Sequence, residues 1–206
     1  MFSAADLCAF VGFLFAFVGA HAKTAQYDTD ARKVLSPPHV YWLYRKSIDS
    51  DTSFTSTHHC VEMEYVYYNG TSDIVTLDLR NHTKREEWSG KMYVASVKST
   101  ANGKDDILQF TPFDEDDGTG TFDYQVLHVV QNSCYIVEKM PANGDITERK
   151  GKKHNCELWI KKDKEVLHQR PSVNVEGQKA CWKELQALCS PRRLVHWPRL
   201  CDPIIS

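Results

Sequence analysis

The sequence predicts a mainly β protein that continues into one C-terminal helix. Eight short runs rich in β-branched and aromatic residues follow one another at regular spacing, which is typical of a sandwich or an up-and-down barrel. Turn signals such as Asn102-Gly103, Asp117-Gly118 and Asn143-Gly144 separate several of the runs. Between Val175 and Cys189, apolar residues instead recur at helical spacing.

The eight strands are assigned from alternation and composition. The clearest is CVEMEYVYY, in which Val61, Met63, Tyr65 and Tyr67 share one face. The full set of predicted strands is Val40 to Ile48, Cys60 to Tyr68, Asp73 to Leu79, Lys91 to Lys98, Asp106 to Phe110, Phe122 to Val130, Cys134 to Lys139 and Cys156 to Lys161.

Two helices are predicted outside the strands. Cys181, Leu185, Leu188 and Cys189 fall on one stripe of the C-terminal segment, so that this face must pack on the sheet. A shorter helix is expected before the first strand, around Asp28 to Leu35, because two prolines follow it.

The N-terminus predicts secretion. Leu7 to Val18 is apolar, too short to span a bilayer, and is followed by the A-x-A sequence Ala20-His21-Ala22. We therefore expect a signal peptide over residues 1–22 and a single domain over residues 23–206. The net charge of −2, with no basic block, argues against nucleic acid, and we expect no membrane partner.

Six cysteines remain after the predicted signal peptide. An even number in a secreted chain indicates three disulfides, for which fifteen pairings exist. Zinc binding is not favoured because no C-x-x-C pair occurs, and we expect neither a metal nor a cofactor. Two N-x-T sequons make Asn69 and Asn81 candidate glycosylation sites.

The helix stripe narrows the disulfide pairing. Cys181 and Cys189 face the sheet, so their partners are strand cysteines on its outer face. Cys134 and Cys156 each begin one of the last two strands. We therefore choose Cys134–Cys181, Cys156–Cys189 and Cys60–Cys201, with an exchange of partners between the first two pairs as the main alternative.

The same orientation predicts which residues line the interior. If Cys134 and Cys156 face outward, then Tyr135, Val137, Glu157 and Trp159 face inward. A buried carboxylate needs a partner. Glu157 therefore either anchors a ligand or forms a structural ion pair, for which Lys139 and Arg45 are the candidate partners.

These residues together resemble the tick salivary lipocalins of the histamine-binding-protein group. The similarity rests on CELW at Cys156 to Trp159, on the Cys60…Cys201 and Cys134…Cys181 spacings, and on DARKVLSPPHVYWLYRKS at Asp30 to Ser47. The resemblance implies an eight-stranded antiparallel up-and-down lipocalin barrel, with the C-terminal helix packed outside and a short N-terminal helix. It also implies a secreted salivary protein that sequesters small host mediators and so evades host immunity.

Amine-binding members of the family use an interior cage of carboxylates and aromatic rings, and only part of that cage is present here. Glu157 matches one cage acid, Trp159 matches the ring of E-L-W, and Asp51 with Phe54 resembles an acid-aromatic pair. Tyr135 and Gln125 stand where amine binders carry acids, although Asp123 lies two residues earlier. The candidate ligand-binding residues are Trp42, Asp51, Phe54, Met63, Tyr65, Tyr67, Phe110, Asp123, Gln125, Tyr135, Val137, Glu157 and Trp159.

The loss of two acids favours a hydrophobic ligand such as a leukotriene, a thromboxane or a fatty acid, because a dication requires several paired acids. A biogenic amine such as histamine or serotonin is the first alternative. The second alternative is a host protein bound through surface lysine clusters. We find no catalytic motif and expect a monomer without enzyme activity.

Overall fold

The computed structural model describes residues 27–35, 40–48, 60–68, 75–84, 87–114, 120–142, 152–163, 173–196 and 201. A 3-10 turn at Ala31–Lys33 precedes the first strand. The strands are β1 (Val40–Ser47), β2 (Val61–Tyr68), β3 (Val75–Lys84), β4 (Glu87–Lys98), β5 (Ile107–Pro112), β6 (Phe122–Val130), β7 (Cys134–Lys139), β8 (Cys156–Lys161) and β9 (Arg192–Leu194), with helix α1 (Val175–Leu188) before β9.

The first eight strands close into an antiparallel ring. Each strand from β2 to β8 pairs with the next one along the chain, and β1 pairs with both β8 and β2. This arrangement confirms the predicted barrel. The three-residue strand β9, which was not predicted, pairs with the second half of β1 and extends the sheet beyond the ring.

The hairpin of β3 and β4 is longer than the sequence predicted. Strand β3 continues to Lys84 and β4 already begins at Glu87, with these two residues paired across the turn. The stretch between residues 80 and 90 is mostly polar, so it carries no alternating apolar signal. The predicted turn at Asn102-Gly103 is present, and Gly103 has the positive φ of 72° that favours glycine.

The two helical segments differ in length. Helix α1 begins after Asn174, whose side chain accepts a hydrogen bond from the Gly177 amide at 2.5 Å. It ends where Cys189 becomes extended and Pro191 follows. The predicted N-terminal helix is reduced to a single 3-10 turn, capped by the carboxylate of Asp30.

The barrel wall separates two main apolar layers. Inward-facing residues of the strands, together with the turn at Ala31–Lys33, form the interior cluster. On the outside, Ile136, Leu158 and Ile160 pack beneath Leu185 of α1. Because inward and outward residues alternate along β7 and β8, each of these strands contributes side chains to both layers.

Three disulfides lie on the outer side of the wall, as Cys60–Cys201, Cys134–Cys181 and Cys156–Cys189. Two of them fasten α1 to the starts of β7 and β8. This is the chosen pairing and not its exchanged alternative. The third closes a sequence separation of 141 residues and lies with Trp42 in a separate outer cluster.

Candidate functional site

The barrel interior is lined mainly by aromatic and aliphatic side chains. Tyr135, Val137 and Trp159 face inward from β7 and β8, as the cysteine parity predicted. Met63 and Tyr65 face inward from β2, and Phe110 faces inward from β5. All six are buried in the interior cluster.

The interior rings fall into two groups. In the first, Tyr41 meets Tyr65 and Tyr135 edge-on at centroid distances of 5.8 and 5.0 Å, and Tyr135 stacks on Trp159 at 6.0 Å. These separations are those of favourable ring pairs. The second group lies towards β4, β5 and β6 and consists of Tyr93, Phe110, Phe122 and Tyr124.

Glu157 links the two aromatic groups. The Tyr124 hydroxyl donates to one carboxylate oxygen at 3.0 Å, and the Trp159 indole Nε1–H donates to the other at 3.1 Å. The side chain is fully buried. Hydrogen bonds to a carboxylate stabilise its charged form, so these two donors make burial of an acid tolerable.

The strand register places a lysine directly opposite this carboxylate. Lys46 of β1 pairs with Glu157 of β8 and is only 4 % exposed. Directly paired residues in antiparallel strands point to the same face with Cβ atoms about 4.5–5.5 Å apart. Lys46 is therefore the basic side chain that the sheet register brings beside the Glu157 carboxylate.

A bulge in β1 brings Lys46 to the interior. The register with β8 shifts between Leu43 and Arg45, so Leu43 and Lys46 both face inward. The shift corrects the sequence prediction that Arg45 could pair with Glu157. The Arg45 guanidinium lies outside the barrel, 4.8 Å from the centre of the Trp182 ring. The other predicted partner, Lys139, lies two residues beyond Val137 and is half-buried.

The structure corrects three other predicted interior residues. Trp42 faces outward, where its ring lies 4.7 Å from that of His196 and clusters with the Cys60–Cys201 disulfide. It lies outside because alternation places its neighbours, Tyr41 and Leu43, in the interior.

Asp123 and Gln125 also face outward, because Tyr124 between them faces inward. The Asp123 carboxylate accepts a hydrogen bond from Gln109 at 3.0 Å and lies 3.4 Å from the Lys98 ammonium. The Gln125 side chain lies on that outer side, near the carboxyl of Asp106. Neither therefore supplies an interior group.

Five predicted site residues are not placed by the described side chains. Asp51, Phe54 and Asn69 lie outside the described residues, and only the backbone is described for Tyr67 and Asn81. Their roles remain expectations of the sequence.

Burial controls the ionisation of the interior tyrosines. Desolvation raises the pKa of Tyr41, and it raises the pKa values of Tyr65 and Tyr135 well above that of an exposed phenol. The Tyr135 hydroxyl donates to the Met63 sulfur at 3.7 Å. The Tyr65 hydroxyl approaches Tyr135, but it has no partner in hydrogen-bond geometry within the described part of the chain.

Several interior residues were missed at the sequence level. Tyr124, Tyr93 and Tyr41 belong to the aromatic lining, and Lys46 supplies the cation opposite Glu157. The alternation of β6 contained the signal for Tyr124, but its absolute parity could not be fixed. No sequence signal marks the bulge that brings Lys46 inward.

Two further charged groups of the described residues are buried. Asp106, directly before β5, is 6 % exposed, and one of its carboxyl oxygens has no hydrogen-bond partner among the described residues. The Glu62 carboxylate binds the Lys162 ammonium at 3.0 Å on the outer face. No group of three or more potential metal-ligating side chains occurs among residues that the structure describes. Over that same part of the chain, no helix has both the length and the apolar character required to cross a bilayer.

Comparisons with known proteins identify a family and a fold. The family model described as tick histamine binding protein matches residues 20–196. No curated protein sequence matches the chain.

Solved structures resemble the fold at low sequence identity. Apocrustacyanin A1 from lobster covers 82 % of this chain and 87 % of its own, with 8 % identity and a TM-score of 0.50. Apocrustacyanin C2 covers 84 % of this chain and 89 % of its own, with 9 % identity and a TM-score of 0.52. Japanin from Rhipicephalus appendiculatus, bound to cholesterol, covers 78 % of this chain and 93 % of its own at 16 % identity and a TM-score of 0.47. The crustacyanin matches support the lipocalin fold.

Proposed function

The chain belongs to the tick histamine-binding protein family, and from this premise we propose that it sequesters a small hydrophobic host mediator inside its barrel. An eicosanoid such as a leukotriene or a thromboxane, or a fatty acid, is the ligand class that the interior favours. The mechanism is equilibrium binding without chemical conversion. It succeeds when the affinity exceeds that of the host receptor.

The observation that carries this proposal is the composition of the lining. Aromatic and aliphatic groups make up the interior cluster of the described residues, and the fully buried Glu157 carboxylate is hydrogen-bonded to two of its rings. Burial of a ligand's hydrocarbon contributes about 0.8 kcal/mol per CH₂ group. A long acyl chain would therefore gain most of its affinity from such a surface.

The charges of the interior argue against an amine as the preferred ligand. Glu157 already accepts two hydrogen bonds and lies opposite Lys46 in the sheet register. A cationic ligand would have to compete with this lysine and would place a second positive charge beside it. A dication such as histamine would need further carboxylates, because desolvating two charges is costly.

The Tyr65 hydroxyl is a candidate partner for a polar group on a hydrophobic ligand. The Tyr65 hydroxyl is buried and lacks a geometric acceptor or donor among the described side chains. A ligand hydroxyl or carbonyl at that point would remove the cost of an unsatisfied buried group, which is about 1–3 kcal/mol. Tyr65→Phe is expected to weaken a ligand that uses this contact.

Amine binding is the second candidate, and Glu157 is the observation that favours it. A buried carboxylate between Trp159 and Tyr124 resembles one half of a cation cage. This function would require Lys46 to move away from the carboxylate, which the hydrophobic-ligand proposal does not require.

We also propose that residues 1–22 are removed as a signal peptide and that the protein is secreted. The three disulfides support this, because such bonds persist in oxidising compartments. Mass spectrometry of protein secreted from insect cells would give an N-terminus at Lys23 if cleavage follows Ala22. The same spectrum would report glycans on Asn69 and Asn81. An intact N-terminus would contradict the secretion proposal.

The ligand proposal is tested by two matched tryptophan substitutions. Trp159 lines the interior, whereas Trp42 is equally buried on the outer side of the wall. Binding of arachidonic acid is measured by native mass spectrometry and calorimetry. Trp159→Phe is expected to weaken binding, and Trp42→Phe is expected to leave it unchanged. Equal effects of both substitutions, or no binding by the native protein, would overturn the proposal.

A further inference from the structure

A cluster of two arginines and one tryptophan lies outside the barrel, where side chains of β1 and β9 meet helix α1. The Arg45 guanidinium carbon lies 4.8 Å from the centre of the Trp182 ring, and that of Arg192 lies 5.7 Å from it. Arg45 also lies 5.5 Å from the Tyr44 ring. Both arginines and the tryptophan are partly exposed, so a solute can reach them.

The sheet register brings the two arginines to the same face. Arg45 pairs with Leu194, and Arg192 is two residues from Leu194 along β9. Residues two apart in a strand share a face, so Arg45 and Arg192 are diagonal neighbours. Helix α1 supplies Trp182 above them, and the Cys156–Cys189 disulfide holds the end of this helix to the sheet.

Neither arginine has an anionic partner among the described residues. Arg192 donates one hydrogen bond, from Nη1 to the Leu185 carbonyl at 2.9 Å. The Nε of Arg45 is buried and has no acceptor in the described part of the chain. A guanidinium has five N–H donors, so most donors of this pair are not used by the residues that the structure describes.

The two positive charges disfavour each other. Desolvation and the nearby charge of Arg45 lower the pKa of Arg192. Packing alone would be served by an uncharged long side chain against the indole. Two like charges beside one ring, with no carboxylate bound to them among the described side chains, are instead the arrangement that an anion would stabilise. Arginine pairs bind oxyanions through parallel N–H donors.

We propose that Arg45, Arg192 and Trp182 form a binding site for an oxyanion of the sulfate or phosphate type, separate from the barrel interior. The anion lies between the two guanidinium groups, and the indole fixes their planes. Such a group comes either as a free inorganic ion or as an ester on a host saccharide. Both sources present the same tetrahedral oxyanion to the arginines. Binding to an ester on a host saccharide would hold the protein at the site of secretion.

The test is calorimetric titration of the full-length mature protein with sodium sulfate, at an ionic strength held constant with sodium chloride. Arg45→Gln and Arg192→Gln are each expected to weaken sulfate binding by about tenfold or more, as expected for loss of a charge-assisted hydrogen bond. Arg193→Gln is the matched control, since it removes the same charge from the next position of β9, which is exposed and faces away from the cluster. The control is expected to bind sulfate as the native protein does.

A second variant separates binding from folding. Arg45→Lys keeps the charge and most of the packing but loses the planar donor pair, so it is expected to fold natively by circular dichroism and still to bind sulfate more weakly. A sulfated disaccharide that binds more tightly than inorganic sulfate would assign the tethered source, and equal affinity would assign the free ion. No sulfate binding by the native protein, or equal losses in Arg45→Gln and Arg193→Gln, would overturn the proposal.

Discussion

The lysine opposite the buried carboxylate provides the sharpest test of the interior. Replacing Lys46 with methionine keeps the length of the side chain and removes its charge. The substitution leaves Glu157 as a fully buried carboxylate without the cation across the strand pair. Breaking a buried ion pair from one side costs about 3–5 kcal/mol.

The expected cost of Lys46→Met lies towards the lower end of that range. The Tyr124 and Trp159 donors remain in Lys46→Met and continue to stabilise the carboxylate. We therefore expect a loss of about 3 kcal/mol in the free energy of unfolding. Urea unfolding with the disulfides intact would show a fall of about 1 M or more in the midpoint, for a typical slope of about 1–3 kcal/mol/M.

The assay also includes a double variant and a control. Lys46→Met combined with Glu157→Gln removes both charges, so it is expected to be more stable than Lys46→Met alone. Lys139→Met removes a half-buried lysine two positions from Val137 and is expected to cost less. A loss below about 1 kcal/mol in Lys46→Met, or no recovery in the double variant, would refute the pairing of Lys46 with Glu157.

Three further predictions address the scaffold. Replacing Cys60 and Cys201 by alanine removes a disulfide between residues 141 positions apart, so the free energy of unfolding in urea is expected to fall by about 4 kcal/mol. An unchanged urea midpoint would contradict a stabilising role of this disulfide. Gly177→Ala would bring a Cβ to 2.7 Å from the Ser133 carbonyl oxygen and should lower the thermal unfolding midpoint. The control Gly120→Ala meets no described atom within 4 Å and should leave the midpoint unchanged; equal midpoints of the two variants would refute this contact. Burial lowers the pKa of His128, so the unfolded chain binds a proton at a higher pH than the folded chain does, and the free energy of unfolding falls as the pH decreases below about 6.5. Urea titrations at several pH values should show a weaker dependence of this free energy on pH in His128→Gln. An unchanged pH dependence would exclude His128 as its source.

Alternation in the sequence was sufficient for the positions of the first eight strands and for the outer layer, whereas the barrel arrangement was implied by the family resemblance. Alternation along Cys134 to Lys139 and Cys156 to Lys161 correctly assigned two outward cysteines and the inward residues beside them. The helical stripe of Cys181 and Leu185 identified the face of α1 that covers them. These predictions succeeded because uninterrupted alternation transmits one known orientation along a whole strand.

The sequence predictions fail where a bulge shifts the alternation, or where no residue shows which face of a strand points inward. The bulge between Leu43 and Arg45 exchanges the sides on which the following residues lie, so Lys46 and not Arg45 reaches the interior. For β6 no cysteine fixed the orientation, and Asp123 was assigned to the wrong face. Strand β9 is too short to give a periodic signal.

The most direct test of the central claim is a calorimetric comparison of leukotriene and histamine binding to the native mature protein. We expect saturable binding of one leukotriene per chain and no measurable heat with histamine, because the interior carboxylate already accepts two hydrogen bonds and lies opposite Lys46 in the sheet register. Tight histamine binding that disappears in Glu157→Gln, with no response to the leukotriene, would contradict it.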